Sequence, residues 1–579
     1  MKKSTLALSI AAAIGGLGLA GNALAITTSL PDAGATASAD LVRNDNGIGH
    51  QLVFPYFTVQ GDNATLLTIT NTDTANGKLV KVRFRGAANS DDLYDFQLAM
   101  SPGDVWTAAL TKDATTGKAQ MVTTDKTCTI PLDLKAAPVL FGTTRLDPSA
   151  TDIANGTREG YVEVLNMADI PNVFASTAQG YTTALFTTIK HASGTAPCSS
   201  AVLLDHLYKD MSYTTATDVT GTGTGKGQLA NPTTGLTGDW IIMNQKSVAA
   251  WSGSATALEV QTSNGTPAKG NLVFWPQQTD DALSLVAPIV ISSVTADPLL
   301  TSGVVTAQNV DLPDMSTPYA RVTTDGTFAT AITTAAGQAD STTATLAVKS
   351  IANQYVTTAG IAATTDLLMA QPTRRYHVAV NYASTSTTVG VTTTKYPLNT
   401  TGTTAVAVYR GTTGTGTTAT ADLTGISTTT VSGATVKGTA FYNDSNIGFP
   451  TGVRNLCLSN ISTPAKGTAF DREENTPPAG TTGGFIASPA PVVTAGKVYV
   501  CGEAAVLSLN SGITAASSLN ASVARSDMST STGFNEGWVY FATNGAANTS
   551  GLPIIGGSFI RASSATATYG FFYANKVTR

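Results

Sequence analysis

Charge is scarce in this sequence. Asp, Glu, Lys and Arg together make up 12% of the chain, about half the ~25% of an ordinary soluble domain. The formal net charge is -5, so there is no basic footprint for nucleic acid and no polybasic stripe for anionic lipid. Histidine is rarer still: four residues leave little general-base capacity near neutral pH. Four cysteines occur without CxxC or HxxxH spacing, which removes the usual zinc frameworks. There is no Gly-x-Ser-x-Gly elbow, no HExxH and no aspartate-rich calcium loop. The 221–227 run, GTGTGKG, mimics a phosphate loop and fails it twice. Thr220 stands where the first glycine belongs, and Gly227 replaces the hydroxyl that would hold magnesium. Catalysis, a cofactor and a nucleic-acid partner are therefore not expected.

Aromatic residues are also few, at 7%, and the chain ends Lys576-Val-Thr-Arg579. An outer-membrane barrel wants many strands of about ten residues, an apolar lipid face and aromatic girdles, so a pore ranks third among the readings. Helix formers such as Glu, Lys and Met are thinly spread. Threonine, valine and tyrosine take their place, with 54 glycines and 24 prolines to make corners between strands. A hydrophobic content of 42% argues against disorder for most of the length. The composition predicts an all-β protein of two or three β-sandwich-like domains, with long Thr/Gly-rich loops and few short helices.

Residues 1–25 read as a signal peptide. Lys2 and Lys3 start it, an apolar run follows to Leu19, and Ala23-Leu24-Ala25 makes a small-residue cleavage site. An exported chain with an even cysteine count predicts two disulfides. Proximity favours Cys128 with Cys198 and Cys457 with Cys501, although four cysteines allow three connectivities.

The clearest strand pattern lies at 64–110. Val80, Val82 and Phe84 alternate with Lys81, Arg83 and Arg85, and Tyr94, Phe96, Leu98 and Met100 repeat the period. Asn76-Gly77 marks a tight hairpin and Pro102-Gly103-Asp104 the next corner. Four strands joined this way predict one antiparallel sheet with a single dry face and an outward row of cations. The pattern resumes through 239–251, 376–382 and 441–579. This divides the chain into an N-terminal domain over 26–238, a second over 239–383 and 440–579, and a Thr-rich surface insert at 384–439. Ser199–Met211 reads as a short helix. The tightest acidic cluster, Asp471-Arg472-Glu473-Glu474, offers Asp471, Glu473 and Glu474 as candidate calcium ligands or as a charged interface patch.

Particular stretches carry a resemblance. Gln51–Val59 (QLVFPYFTV), Ala64–Thr72 (ATLLTITNT) and Leu98–Trp106 (LAMSPGDVW) come first. Cys501-Gly-Glu503, Gly551–Ile555 (GLPII) and Val577-Thr-Arg579 follow near the other end. Together they are similar to the surface-layer, or cell-surface, proteins of betaproteobacteria, which coat outer-membrane tubules called nanopods. The resemblance implies self-assembly into a two-dimensional lattice on the outer face of the outer membrane. It further implies attachment through lipopolysaccharide, with calcium as a possible aid to assembly. A secreted or surface-attached adhesin with carbohydrate-binding sandwiches is the alternative.

Overall fold

The computed structural model describes residues 39–131, most of 134–203, most of 229–274, 342–373, 501–510, 516–530, 534–543 and 551–579. It also describes short strands at 27–30, 378–380, 406–408, 447–448, 457–462, 485–488 and 497–500, and the segment 469–473. Strands dominate, and they pair antiparallel in every described sheet except where Ala504–Asn510 runs parallel to Arg525–Thr530. The first half holds two facing sheets. One has seven strands in the order Ala39–Asn44, Thr256–Thr262, Gln51–Thr58, Glu159–Ile170, Gly77–Gly86, Asp92–Met100 and Cys128–Ile130. The other has six: Val139–Leu140, Ala119–Val122, Val105–Lys112, Asn63–Asn71, Leu236–Asn244 and Ala250–Ser254. The core between them is aromatic. Phe84 lies 4.9 Å from Phe141 and 5.8 Å from Phe57, and Phe96 lies 5.3 Å from Trp106.

The expected single sheet at 64–110 is instead split across both layers. Asn63–Asn71 pairs with Val105–Lys112 and Leu236–Asn244, whereas Gly77–Gly86 pairs with Asp92–Met100 and Glu159–Ile170. Asn76-Gly77 is therefore a crossing between sheets and not a hairpin. Asp73 builds that corner: its Oδ1 accepts the Ala75 and Asn76 backbone N–H at 2.8 and 3.0 Å. Local turn chemistry looks the same whether the next strand pairs back or crosses over, because pairing is decided by the rest of the chain.

The domain boundary expected at 238/239 falls inside a strand. Leu236–Asn244 and Thr256–Thr262 complete the two sheets of the first half, so that half runs past residue 260. Of the Thr-rich insert, Val406–Val408 is described, and it pairs with Val378–Val380. The rest of the insert, the 221–227 loop and nearly all of the helix expected at Ser199–Met211 lie outside the described residues.

The second half carries two further large sheets among the described residues. One includes Cys457–Ser462, Glu536–Ala542, Ser350–Val356 and Lys576–Thr578. The other runs Phe485–Ser488, Arg525–Thr530, Ala504–Asn510, Thr364–Ala370, Gly557–Ser563 and Thr568–Ala574. Thr364–Ala370 is buried at all seven positions, as a strand covered on both faces must be. On one side, its Leu367, Leu368 and Met369 line a shallow depression together with Ile351 and Val539 of the neighbouring sheet. On the other, its sheet packs Phe559 and Phe572 against Trp240 of the first half, at 5.7 and 4.9 Å. One hydrophobic core thus runs through both halves.

Candidate functional site

The cations of Gly77–Gly86 do not face water. Every residue of this strand is buried, and Lys78, Lys81, Arg83 and Arg85 have no exposed surface. Neighbouring strands supply matching acids. Lys81 Nζ lies 2.5 Å from Asp95, Arg85 Nε lies 3.3 Å from Glu163, and Arg83 Nε approaches Asp95 at 3.9 Å. Lys78 Nζ reaches Asp169 at 2.6 Å, Asp73 at 2.9 Å and the Thr233 hydroxyl at 2.7 Å. Burial lowers the Lys81 pKa and Asp95 opposes that shift. Burial raises Asp169, with Lys78 pulling it back. Alternation shows which side chains share a face, not whether that face is wet. The missed signal was the acid spacing on partner strands, Asp95 and Glu163, both directly opposite Arg83. A chain with so few charges has placed many of them inside, where they act as internal ties.

Among the described residues, the nearest approach to a catalytic constellation is Ser101, His191 and Asp104. Ser101 Oγ lies 3.3 Å from His191 Nδ1, and Asp104 Oδ2 lies 3.7 Å from that same nitrogen. A nucleophile–base–orienter relay needs the serine and the acid on opposite ring nitrogens. This trio cannot run it. Burial pushes His50 down to about 3, and its Nδ1 accepts the Val260 N–H at 3.2 Å, so it is a neutral core residue. His206 and His377 lie outside the described residues.

The acidic cluster is a turn at the end of Ala469–Asp471. Asp471 Oδ1 accepts the Glu473 N–H at 2.9 Å, and Arg472 reaches Glu536 at 3.4 Å and Glu473 at 4.0 Å. Glu474 lies outside the described residues. Among the described residues no group of three or more His, Cys, Asp or Glu is placed to hold a metal. Cys128 and Cys198 form a disulfide. Cys457 and Cys501 are direct cross-strand partners in the backbone register.

Two shallow depressions, one beside the disulfide and one between the sheets of the second half, gather at most one acid each. The conspicuous surface features are aromatic. Trp538, 40% exposed, stacks on Phe470 at 4.3 Å with the rings 10° from parallel. Gln354, directly cross-strand from Trp538, is exposed beside it, and the Arg472–Glu536 pair flanks the stack. At the end of another sheet, Tyr569, Phe571 and Tyr573 line one side of Thr568–Ala574 with 57%, 45% and 43% of their surface in water. Rows of exposed aromatics mark interaction surfaces more often than they occur by accident. No family model, curated protein or solved structure matches this chain.

Proposed function

We propose that this chain is an exported structural protein of the cell surface that assembles with its own copies into a two-dimensional lattice. The observation that carries the reading is the surface of the second half. Large aromatic side chains stand exposed on sheet faces and at a sheet end, while many of the ionic groups of the first half are turned inward. Such a distribution suits contacts between identical subunits, where low charge limits repulsion and aromatic residues anchor the interface. The signal-like N-terminal segment and the resemblance of the 51–106 motifs to betaproteobacterial surface-layer proteins point the same way. Attachment to lipopolysaccharide or the outer-membrane surface, and a calcium requirement for assembly, belong to this proposal. Imaging of cell envelopes tests it: periodic order should be present in the wild type and vanish on deletion of the gene. An unordered wild-type envelope overturns it.

The Phe470–Trp538 platform supports a second reading, a carbohydrate-binding surface protein. Aromatic faces stack on sugar rings, and Gln354, Arg472 and Glu536 could bind hydroxyls around them. A protein that stays monomeric in millimolar calcium and is retained on immobilised polysaccharide through Trp538 would favour this reading over the lattice.

A further inference from the structure

Thr568–Ala574 is the last strand of its sheet, and Gly557–Ser563 is its one strand partner among the described residues. Its inward side is occupied. Phe572 packs on Trp240 at 4.9 Å and on Phe559 at 4.7 Å, and Gly570 sits so close to Ala250 that an added Cβ would strike the Ala250 carbonyl. Its outward side carries Tyr569, Phe571 and Tyr573, all exposed. Sheet edges in monomeric proteins are usually guarded by lysine, proline or a bulge. This strand reads TYGFFYA, without charge or proline, and its seven-residue pairing with Gly557–Ser563 runs without a register shift.

We propose that this edge pairs with the same edge of a second copy, antiparallel, about a two-fold axis through Phe571. The strand is symmetric about that residue in the property that matters: tyrosine stands two positions away on either side. In the two-fold register Phe571 faces the partner's Phe571, and Tyr569 faces the partner's Tyr573. Gly570 faces the partner's Phe572, a small residue opposite a large one. Such an isologous contact needs one self-complementary patch. A second strand satisfies the outer backbone N–H and C=O groups that no side chain reaches in a row, and aromatic cross-strand pairs add to it. Self-pairing also brings like charges together, and this strand has none to bring. A saccharide could stack on the three rings but would leave the backbone edge unmet. The inference rests on the lattice reading and supplies one of its contacts; a sheet needs at least one other elsewhere, because a lone two-fold contact closes as a dimer.

Sedimentation velocity on the full mature chain tests the pairing. Phe571→Lys sets two cations on the axis and should weaken self-association at least tenfold, with circular dichroism and unfolding midpoint unchanged. Tyr569→Lys with Tyr573→Lys should do the same, whereas Tyr569→Glu with Tyr573→Lys should restore association, since Glu then faces Lys. Phe571→Cys should form a disulfide dimer under mild oxidation far faster than Val248→Cys, an exposed control. Undiminished association of F571K, or cross-linking of F571C no faster than V248C, overturns the pairing. Should F571K not fold, the charge-swap and cysteine variants decide. Ordered arrays that persist in F571K overturn the pairing and leave the lattice reading standing. Cross-linked F571C dimers from a protein that never forms arrays overturn the lattice reading and support the pairing. Loss of polysaccharide retention in F571K with association intact overturns the pairing in favour of a sugar.

Discussion

Glu159 accepts the backbone N–H of Ser522 at 2.7 Å, across 363 residues of sequence. The same oxygen accepts the Val523 N–H at 3.2 Å, and the other oxygen accepts the Tyr56 hydroxyl at 2.8 Å. Asn63 Nδ2 adds a bond to Leu519 O at 2.6 Å. From the other side, Asp366 accepts the Leu519 N–H at 2.9 Å and the Ser517 hydroxyl at 2.6 Å. The 516–524 segment is thus held between a carboxylate of each half. Glu159→Ala removes the buried acceptor of two part-buried amides and is expected to cost about 1–3 kcal/mol. It should also split a single calorimetric transition toward two, which differential scanning calorimetry would show.

The pH dependence of this junction has a definite sign. Burial raises the Glu159 pKa above its ordinary 4.5, with the Tyr56 and backbone bonds opposing, and burial raises Asp366 likewise. A carboxyl with a raised folded-state pKa contributes stability that is fully present below its unfolded pKa and is lost as pH rises through the folded value. Unfolding midpoints should therefore decline as pH climbs from about 4.5 toward neutrality. Glu159→Gln copies the protonated form and should flatten that slope; a parallel slope in the variant would contradict the assignment.

Lys78 is enclosed by Asp73 and Asp169. Burial works to raise Asp73, yet bonds from the Asn76 N–H, Lys78 and the Ala75 N–H hold it well below the usual carboxylate range. Lys78→Met leaves the buried Asp169 and the half-buried Asp73 without their shared cation and should cost about 3 kcal/mol. Chemical denaturation of the purified chain would measure it. The double change to Met with Asp169→Asn should recover part of the loss, because one uncompensated charge goes with it.

The Cys128–Cys198 bridge closes a separation of 70 residues. Replacing both cysteines with alanine should lower stability by about 4 kcal/mol on the chain-entropy account. Reductant should shift the wild-type unfolding midpoint further than that of the double variant, in which only the Cys457 and Cys501 pair is left to reduce.

Gly160 lies on the Glu159–Ile170 strand directly opposite Gly86, and an added Cβ would overlap the Arg85 carbonyl. Gly160→Ala should destabilise by more than about 2 kcal/mol, since a backbone and not a pliant side chain must yield. Thermal melts compare it with Gly103→Ala, where open space surrounds the site and a positive φ of 72° alone opposes the change.

Much of the strand content was legible because period-two alternation is local. Tyr161–Met167, Trp538–Phe541 and Tyr569–Tyr573 all read as strands and fall within strands. Strand partners were not legible. Lys497–Leu509 reads as one strand, yet Gly502, at φ +91°, turns the chain from one sheet into another. The wetness of a face was equally hidden, since Lys81, Arg83 and Arg85 follow the pattern of a solvated row. The exposed aromatics were missed for the converse reason. Tyr569, Phe571 and Tyr573 look like core residues in sequence, and only their place at the end of a sheet leaves them uncovered.

Gly502 leads directly into the junction, where Ala87 O accepts the N–H groups of Glu503 and Ala504 at 2.8 and 3.1 Å. Together with the two amides on Glu159, these bonds tie the two halves to each other through four backbone amides. Were the proposed lattice put under tension, those bonds would be loaded in concert, and each subunit should stretch as a single stiff tile and yield first at its seams with neighbours.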